Sequence, residues 1–558
     1  MSAVIELLLL IVASLLVIAG AAVLGPRFGI APPLVLVAVG VAASFAPAFG
    51  SVEIDPELIL AGVLPPLLYS SAVAMPAMDF RREFGAISGL SVVLVVATSL
   101  LLGLFFAVVL PDLGFAWGVA LGAIISPTDA VATSIVRRTR VSRRVVAMLD
   151  GESLLNDATA LVLLRTAVVA TAASFSFWGA LGTFAYSVAV AVVIGLLVGA
   201  VNLAVRRRVT DPTVNTVLSF AVPFLASMPA DAVGASGLVA AVVAGLVTGI
   251  RAPRELSPQN RLSDSQNWRT VELVLEGAVF LTMGLQIRAV LSDVEAEHAG
   301  VGRALLIAGG ALLLTVLIRA AYVAPLLRAL AASARRAERL EPRVRGMQQR
   351  MRTPEGEHAV LARRGNRVPS QRAVDRIARR ITQGLADIDY FLRQPLGWRD
   401  GTAVVWAGMR GAVTVAAAQT LPVDAPQRPV LVLIAYAVAA ASLLLQGGTI
   451  GPLLRFIARP DGDPGTREQE ERDRRRLEDL LRATAEAIPP ADQHDGERTP
   501  EAFDAARRHL LRVIAAQRSA LLDARDDGVF DADVLETALA DLDASEIAIE
   551  LRGRPRGS

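Results

Sequence analysis

The sequence predicts an all-α polytopic membrane protein with about 13 transmembrane helices, a helical insert and a helical tail. The first observation is composition: 53% of the 558 residues are hydrophobic and 19% are charged, whereas soluble domains average about 25% charged residues. The second is that the apolar residues fall into runs of about 20, the length that crosses a bilayer core as a helix. The third is that the ionisable residues inside these runs are clustered in a few of them.

The apolar runs follow one another over residues 1–455, which we predict to form one transmembrane domain. The first run is predicted to be a membrane helix rather than a cleaved signal peptide, because it has no basic leader and no small-residue cleavage site before polar sequence. In order, the runs are residues 4–24, 28–49, 58–75, 84–110, 115–136, 145–170, 178–205, 214–228, 233–250, 271–287, 304–327, 402–421 and 430–450.

Arginine placement predicts the orientation, because the short cytoplasmic loops of membrane proteins are enriched in basic residues. With the N-terminus outside, the inner short loops hold fifteen Arg, and the outer ones hold only Arg288, Arg303 and Arg428. An odd number of runs then places the C-terminus in the cytoplasm. Because the basic residues are all Arg, the composition suggests a GC-rich bacterial genome, and we expect the membrane to be the bacterial inner membrane.

Two polar stretches lie outside the runs and carry opposite charge. The insert, residues 329–399, has sixteen Arg against seven acidic residues, about +9, and the tail, residues 459–558, has sixteen Arg against twenty-four acidic residues, about −8. The tail is rich in helix-forming residues and is predicted to be helical. Three interpretations stay open: the tail docks on the insert, the insert binds anionic membrane lipid, or both parts are solvated appendages.

Two residue types are missing, and their absence excludes several kinds of site. There is no Cys, which excludes disulfides, thiolate metal sites and Cys nucleophiles. All 55 basic residues are Arg, so a Walker A lysine, a Schiff-base lysine and a Ser-Lys dyad are also excluded. The four His residues all lie in polar stretches: His298, His358, His494 and His509. Many classes of enzyme are excluded in this way. We also expect a protein that is not an enzyme, with no resident cofactor and no nucleic-acid partner.

Ionisable residues within membrane spans are costly and are functional candidates. Glu6 lies close to a run end and is given no role, and Arg165 is expected to reach water or pair with an acid. The candidates that remain form clusters in five of the runs. They are Ser126, Pro127, Thr128 and Asp129 in the fifth, Glu152, Ser153, Asn156 and Asp157 in the sixth, Glu272 and Glu276 in the tenth, Arg319 in the eleventh and Arg410 in the twelfth.

The sixth run carries oxygen ligands on one side of a helix. Glu152 and Asn156 are four residues apart, as are Ser153 and Asp157, and each pair stacks on one helix face next to the other pair. Two carboxylates, a hydroxyl and an amide carbonyl suit a hard cation rather than a soft metal.

The fifth and twelfth runs are predicted to be interrupted helices. Pro127 removes a backbone donor and obstructs the preceding turn, while Gly408 and Gly411 flank Arg410 in the twelfth run. A break at membrane depth leaves backbone groups free, which is tolerated where they line a cavity. The two runs are seven helices apart, as expected for inverted repeats of runs 1–6 and 8–13. The alternative is that these polar groups only hold helices together.

These stretches are similar to those of a known family. Gly-Glu-Ser-Leu-Leu-Asn-Asp-Ala-Thr-Ala at 151–160, with Ser-Pro-Thr-Asp-Ala-Val-Ala at 126–132, resembles the sodium/proton exchangers of the monovalent cation:proton antiporter-1 family. Residues 236–245, 317–319 and 408–411 fit the same family, and the resemblance covers about residues 1–455. One departure is that the family often places Pro directly after the Thr-Asp pair, whereas here Pro precedes that pair.

The resemblance implies a homodimer that takes part in pH homeostasis. Helices 1–3 and 8–10 would form the dimerisation domain, and helices 4–6 and 11–13 would form a core that moves against it like an elevator. The family implies that Asp157 is the carboxylate that binds cation or proton, with Thr128, Ser153 and Glu152 beside it around Na⁺. Asp129 and Asn156 would lie at the helix crossing, and Asp129 would also belong to the ion site. Arg319 and Arg410 would be positioning or charge-balancing residues.

The expected mechanism is exchange of Na⁺ for H⁺ at one carboxylate. Burial disfavours the ionised form of a carboxylate, so proton and cation can compete for Asp157. Electrogenic relatives place a second Asp where this sequence has Asn156, which predicts electroneutral exchange. Three alternatives stay open: K⁺ in place of Na⁺ on the same fold, a cation channel or sensor, and an intramembrane protease with two acids as its dyad. The interrupted helices and the oxygen-rich ligand set favour an antiporter.

Overall fold

The structure is a computed structural model that describes residues 3–46, 55–129, 131–137, 139, 141–172, 177–296, 300–350, 371–457, 464–490 and 500–552. Within these residues the regular structure is entirely helical. The chain forms two compact units, the first made of Met1–Ile250, Ser263–Leu327 and Leu396–Ala458, and the second of Arg251–Leu262, Arg328–Pro395 and Arg459–Ser558.

The helices follow the predicted runs closely up to the insert. They are α1 (Ala3–Arg27), α2 (Pro32–Ser44), α3 (Leu64–Ala74), α4 (Ala77–Ser88), α5 (Val95–Val109), α6 (Gly114–Ile125), α7 (Val131–Arg137), α8 (Arg143–Ala172), α9 (Phe177–Arg206), α10 (Pro212–Ala232), α11 (Gly237–Glu255), α12 (Pro258–Leu285), α13 (Ile287–Ala296) and α14 (Val301–Arg350). The later helices are α15 (Gln371–Arg393), α16 (Trp398–Trp406), α17 (Ala412–Gln419), α18 (Arg428–Ser442), α19 (Gly448–Ile457), α20 (Pro464–Glu486), α21 (Pro500–Asp527) and α22 (Ala532–Arg552).

Nine helical segments of the described residues are long and apolar enough to cross a membrane. The second, third, fifth and twelfth runs contain shorter helices, namely α2, α3, the pair α6 and α7, and the pair α16 and α17. The chain is therefore a multi-pass membrane protein, and the number of about 13 crossings stays a prediction. Helix α14 is longer than its run, because the Ala- and Arg-rich segment that follows is also a good helix former.

Both predicted interruptions are present. Helix α6 ends at Ile125 and α7 begins at Val131, while α16 ends at Trp406 and α17 begins at Ala412. The two non-helical segments meet, since the backbone N–H of Asp129 donates to the carbonyl of Met409 at 2.7 Å. The inverted-repeat relationship between the two halves stays a prediction.

The first unit has two apolar clusters. One contains buried residues of α5, α6 and α18, such as Phe106, Ile124 and Leu431. The other contains residues of α3, α10, α11 and α12, such as Tyr69 and Trp268.

In the second unit the tail forms a bundle with its own apolar core. Helices α20, α21 and α22 bury Leu477, Leu521, Phe530 and Leu535 against one another. Arg518 of α21 pairs with Asp543 of α22 at 2.8 Å. The prediction that the tail is helical is confirmed for the described residues.

Candidate cation site

The first unit contains a cavity of about 600 Å³ beside the interrupted helix α6–α7. It is bordered by α3, α7, α8, α12 and α17 and by the segment between α6 and α7. Its lining is rich in oxygen-bearing side chains: Ser71, Thr128, Asp129, Thr133, Ser134, Asp150, Ser153, Asp157, Glu272, Glu276 and Thr414. Four of the predicted ion-binding residues, Thr128, Asp129, Ser153 and Asp157, are therefore brought together around one space.

Helix α8 presents Asp157 to this cavity. The side chain of Asp157 is buried, at 8% exposure, and in the described part of the chain its carboxylate has no hydrogen-bond partner. Its backbone N–H donates to Oδ1 of Asn156 at 2.6 Å. Because a buried carboxylate without a partner is costly, this position is suited to hold either a proton or a cation.

Asn156 and Thr128 join α8 to the break between α6 and α7. The Asn156 amide donates to the Thr128 carbonyl at 2.9 Å and to the Thr128 hydroxyl at 2.7 Å. The hydroxyl in turn donates to Oε1 of Glu152 at 3.1 Å. These bonds use backbone and side-chain groups that the interruption leaves free, and they fix the non-helical segment against α8.

Glu152 is placed differently from the prediction. Its two carboxylate oxygens accept from Arg319 at 2.5 and 2.7 Å, and both side chains are 2% exposed. Glu152 does not line the cavity. A carboxylate held bidentately by a buried guanidinium is already neutralised, so this pairing does not favour Glu152 as a cation ligand, and that role stays a prediction. The sequence could not show that α14 places Arg319 against this face of α8.

Arg410 satisfies carbonyl groups at the end of α6. Its guanidinium donates to the carbonyl of Ile125 at 2.9 Å, to that of Ser126 at 3.4 Å and to that of Gly408. The last carbonyls of a helix have no partner within it, so a buried Arg supplies the missing donors. This arrangement holds the two interrupted helices together.

Asp129 lies where the two interruptions meet. Its Oδ1 accepts from the N–H of Val131 at 2.9 Å, which caps the start of α7. Its Oδ2 faces Gly411, where a Cβ atom would overlap the carboxylate. Gly411 is thus required by the close approach of Asp129 to the start of α17.

Sequence reasoning left several lining residues without a role. Glu272 and Glu276 were noted as charges in an apolar run but not assigned, and both face the cavity. Asp150 was not singled out, although it lies seven residues before Asp157 and therefore on the same helix face. Arg165, in contrast, pairs with Asp231 at 3.4 Å away from the cavity, as expected.

Comparison with known proteins assigns the chain to a family. Residues 11–456 match the family model described as sodium/hydrogen exchanger, transmembrane. The chain belongs to the sodium/hydrogen exchanger family. The resemblance seen in the sequence is confirmed, and this family consists of cation/proton antiporters rather than enzymes.

Relatives of the exchanger carry matching names. An uncharacterized Na⁺/H⁺ exchanger of Mycobacterium tuberculosis is 27% identical over 575 residues, which cover 97% of this chain and 96% of that protein. The uncharacterized Na⁺/H⁺ exchanger YjcE of Escherichia coli is 35% identical over 274 residues, 47% of this chain and 50% of that one. A sodium, potassium, lithium and rubidium/H⁺ antiporter of Bacillus subtilis is 30% identical over 269 residues, 47% of this chain and 40% of that one.

A solved structure has the same fold. The sodium proton antiporter MjNhaP1 of Methanocaldococcus jannaschii superposes with a TM-score of 0.55 over 81% of this chain and 100% of that one, at 16% identity. At that identity the likeness is one of fold.

Proposed function

We propose that the exchanger is a secondary active antiporter that exchanges Na⁺ for H⁺ across a bacterial inner membrane and so takes part in pH homeostasis. The observation that carries this proposal is the carboxylate of Asp157, which is buried, lines an oxygen-rich cavity and has no hydrogen-bond partner among the residues that the structure describes. Proton and cation compete for this carboxylate, because burial penalises the ionised form unless a cation neutralises it.

Na⁺ would be held by oxygen atoms of Asp157, Ser153, Asp129 and Thr128, which all line the cavity. Carboxylate and hydroxyl oxygens are the ligands that a hard cation prefers. Glu152 acts outside this set by accepting the Thr128 hydroxyl while paired with Arg319. Its role is to position Thr128.

The cycle is elevator-type alternating access by a homodimer, with the N-terminus outside and the insert and tail in the cytoplasm. The bonds of Arg319 to α8 and α16 and of Arg410 to the end of α6 support a core that moves as one body. A site carried on such a body can be exposed to each membrane face in turn without being dismantled. Helices of the first three runs and of runs 8–10 would form the dimerisation domain.

A second candidate is exchange of K⁺ for H⁺ at the same site. The observation that favours it is the relative in Bacillus subtilis, whose name includes sodium, potassium, lithium and rubidium. The same oxygen ligands serve either cation, and the choice depends on the size of the occupied site.

The test is proton movement driven by a cation gradient in proteoliposomes of the full chain. We expect Na⁺ to drive proton flux, and parallel gradients of K⁺ and Li⁺ to rank the cations. Asp157→Asn should reduce exchange to the level of protein-free liposomes, because the amide preserves the side-chain shape but cannot cycle a proton. Asp424→Asn, at an exposed loop position, is the matched control. Exchange at a near wild-type rate in Asp157→Asn would remove that residue from the mechanism.

A further inference from the structure

Two of the residues that line the cavity form a salt bridge with each other. Nη2 of Arg137, the last residue of α7, lies 2.6 Å from Oδ2 of Asp150, near the start of α8. Both residues line the cavity. The side chain of Arg137 is 62% exposed and that of Asp150 is 18% exposed, so the pair lies between bulk solvent and the cavity interior.

Asp150 begins a line of oxygen atoms that leads to Asp157. Asp150, Ser153 and Asp157 are spaced by three and four residues on α8 and all face the cavity. Seven residues of helix correspond to a rise of about 10 Å, so Asp150 lies about 10 Å along α8 from the proposed binding carboxylate. Glu272 and Glu276 of α12 line the same space and add to its negative charge.

The exposure of Arg137 distinguishes this pair from the buried ion pairs of the first unit. Arg319–Glu152 and Arg144–Glu83 are almost fully buried, and removing one partner from such a pair is strongly destabilising, at about 3–5 kcal/mol. An exposed pair contributes only about 0.2–1 kcal/mol, and this pair, with one exposed and one mostly buried partner, lies between the two limits. The guanidinium of Arg137 can therefore leave Asp150 at a lower cost than opening a buried pair would require.

We propose that Asp150 is an entrance site for the transported cation and that Arg137 gates it by competing for the same carboxylate. This inference rests on the proposed function. A cation approaching the cavity displaces the guanidinium from Asp150, is held there briefly, and passes along Ser153 to Asp157. Arg137 occupies the carboxylate when no cation is present.

The test is the cation dependence of exchange in proteoliposomes, with Na⁺ supplied on each side in turn. Asp150→Asn should raise KM for Na⁺ by about threefold to fivefold, with a smaller effect on kcat, on the side to which the cavity opens. Arg137→Gln should lower KM, because the competing guanidinium is gone. The double variant should resemble Asp150→Asn, and Asp150→Glu should restore a KM near that of wild type.

The matched controls are Arg165→Gln and Asp231→Asn, which break another exposed Arg–Asp pair that also includes a residue of α8. These variants should keep the wild-type KM. The inference is overturned if Arg137→Gln raises KM or leaves it unchanged, or if the two pairs behave alike. If Asp150→Asn does not fold, Arg137→Gln and Asp150→Glu decide the question. Absence of any cation-driven flux in wild type would defeat the proposed function and this inference together, whereas wild-type exchange with matching variant pairs would defeat the entrance site alone.

Discussion

At the scale of single residues, most of the charges buried in the described part of the first unit lie in ion pairs, and Arg410 and Asp400 bond to backbone groups. Glu152 pairs with Arg319, Glu83 with Arg144 and Asp264 with Arg206. An unpaired buried charge is too costly to be kept for stability alone. The carboxylate of Asp157 has no hydrogen-bond or ion-pair partner within the described residues. It is therefore the group that a transported cation or a proton would neutralise.

The contact between Gly411 and Asp129 can be tested by a substitution that leaves every charge unchanged. We expect Gly411→Ala to lower the exchange rate by about tenfold or more, because overpacking of this kind costs about 1–3 kcal/mol and displaces Asp129. The control is Gly448→Ala, where an added Cβ meets open space. The measurement is Na⁺-driven proton flux. Equal rates in both variants would show that the position of Asp129 does not matter for transport.

Asn156 leads to a prediction about stoichiometry. Its amide is committed to Thr128 and carries no charge, so one carboxylate should exchange one cation for one proton. A membrane potential of either sign, imposed with a potassium ionophore, should then leave the rate of Na⁺-driven exchange unchanged. If the rate follows the potential, a further charge moves through the cycle, and Asp129 and Glu276 are the residues to test first.

At the scale of helices, buried ion pairs decide which helices are fixed to one another. Arg206, the last residue of α9, donates to Asn215 of α10 at 2.8 Å and lies 2.9 Å from Asp264 of α12. Trp268 of α12 also donates to Ser219 of α10 at 3.0 Å. These bonds join three helices at the ends that the arginine pattern predicts to be cytoplasmic. The residues that form them are not among those that line the cavity.

We predict that Asp264→Asn destabilises the protein without changing its cation specificity. Leaving Arg206 buried and unpaired should cost about 3–5 kcal/mol, which lowers the midpoint of thermal unfolding in detergent by several degrees. The control is Asp424→Asn, whose residue lies exposed on a loop. A midpoint no lower than that of the control would mean that this ion pair does not hold α9, α10 and α12 together.

At the scale of the whole molecule, the second unit joins the tail to other parts of the chain. The tail contacts the insert, as Gln383 donates to the carbonyl of Asp526 at 2.9 Å and Arg393 pairs with Asp473 at 3.2 Å. Only the second of these contacts joins opposite charges, and the docking of the tail on the insert through their opposite charges stays a prediction.

The tail also binds the connector Arg251–Leu262, which was not expected. Arg254 pairs with Asp526 at 2.6 Å and with Asp523 at 3.0 Å, and Arg261 pairs with Asp543. Helix α12 begins in this connector and carries Glu272 and Glu276. The binding of anionic lipid by the insert stays a prediction.

We predict that the tail tunes transport through these ion pairs. Deleting residues 464–558 should shift the pH at which exchange is activated, and the double variant D523R/D526R should shift it in the same direction. Adding Arg254→Asp to the double variant should restore the wild-type profile, since the opposite charges are then paired again. High salt should weaken the effect, because the Debye length shortens to about 3 Å at 1 M. A pH profile that is the same with and without the tail would contradict the prediction.

Local features of the sequence were sufficient for the class of protein and for its interrupted helices. Runs of about 20 apolar residues have one stable form in a bilayer, because every backbone group must be bonded within the segment. Pro127 and the glycines around Arg410 interrupt helices for reasons that act within a few residues. The motif at 151–160 was enough to identify the family, and the helical spacing brought Ser153 and Asp157 to one face.

Only the tertiary structure decided which helix lies against each face. Helical periodicity shows that Glu152 shares a surface with Asn156, but Arg319 is 167 residues away in sequence, and its pairing with Glu152 could not be predicted from that periodicity. The same holds for the bond between Arg137 and Asp150 and for Glu272 and Glu276, which line the same cavity as Asp157. The physical reason is that local sequence fixes the direction of a side chain from its own helix, whereas its partner depends on how distant segments pack.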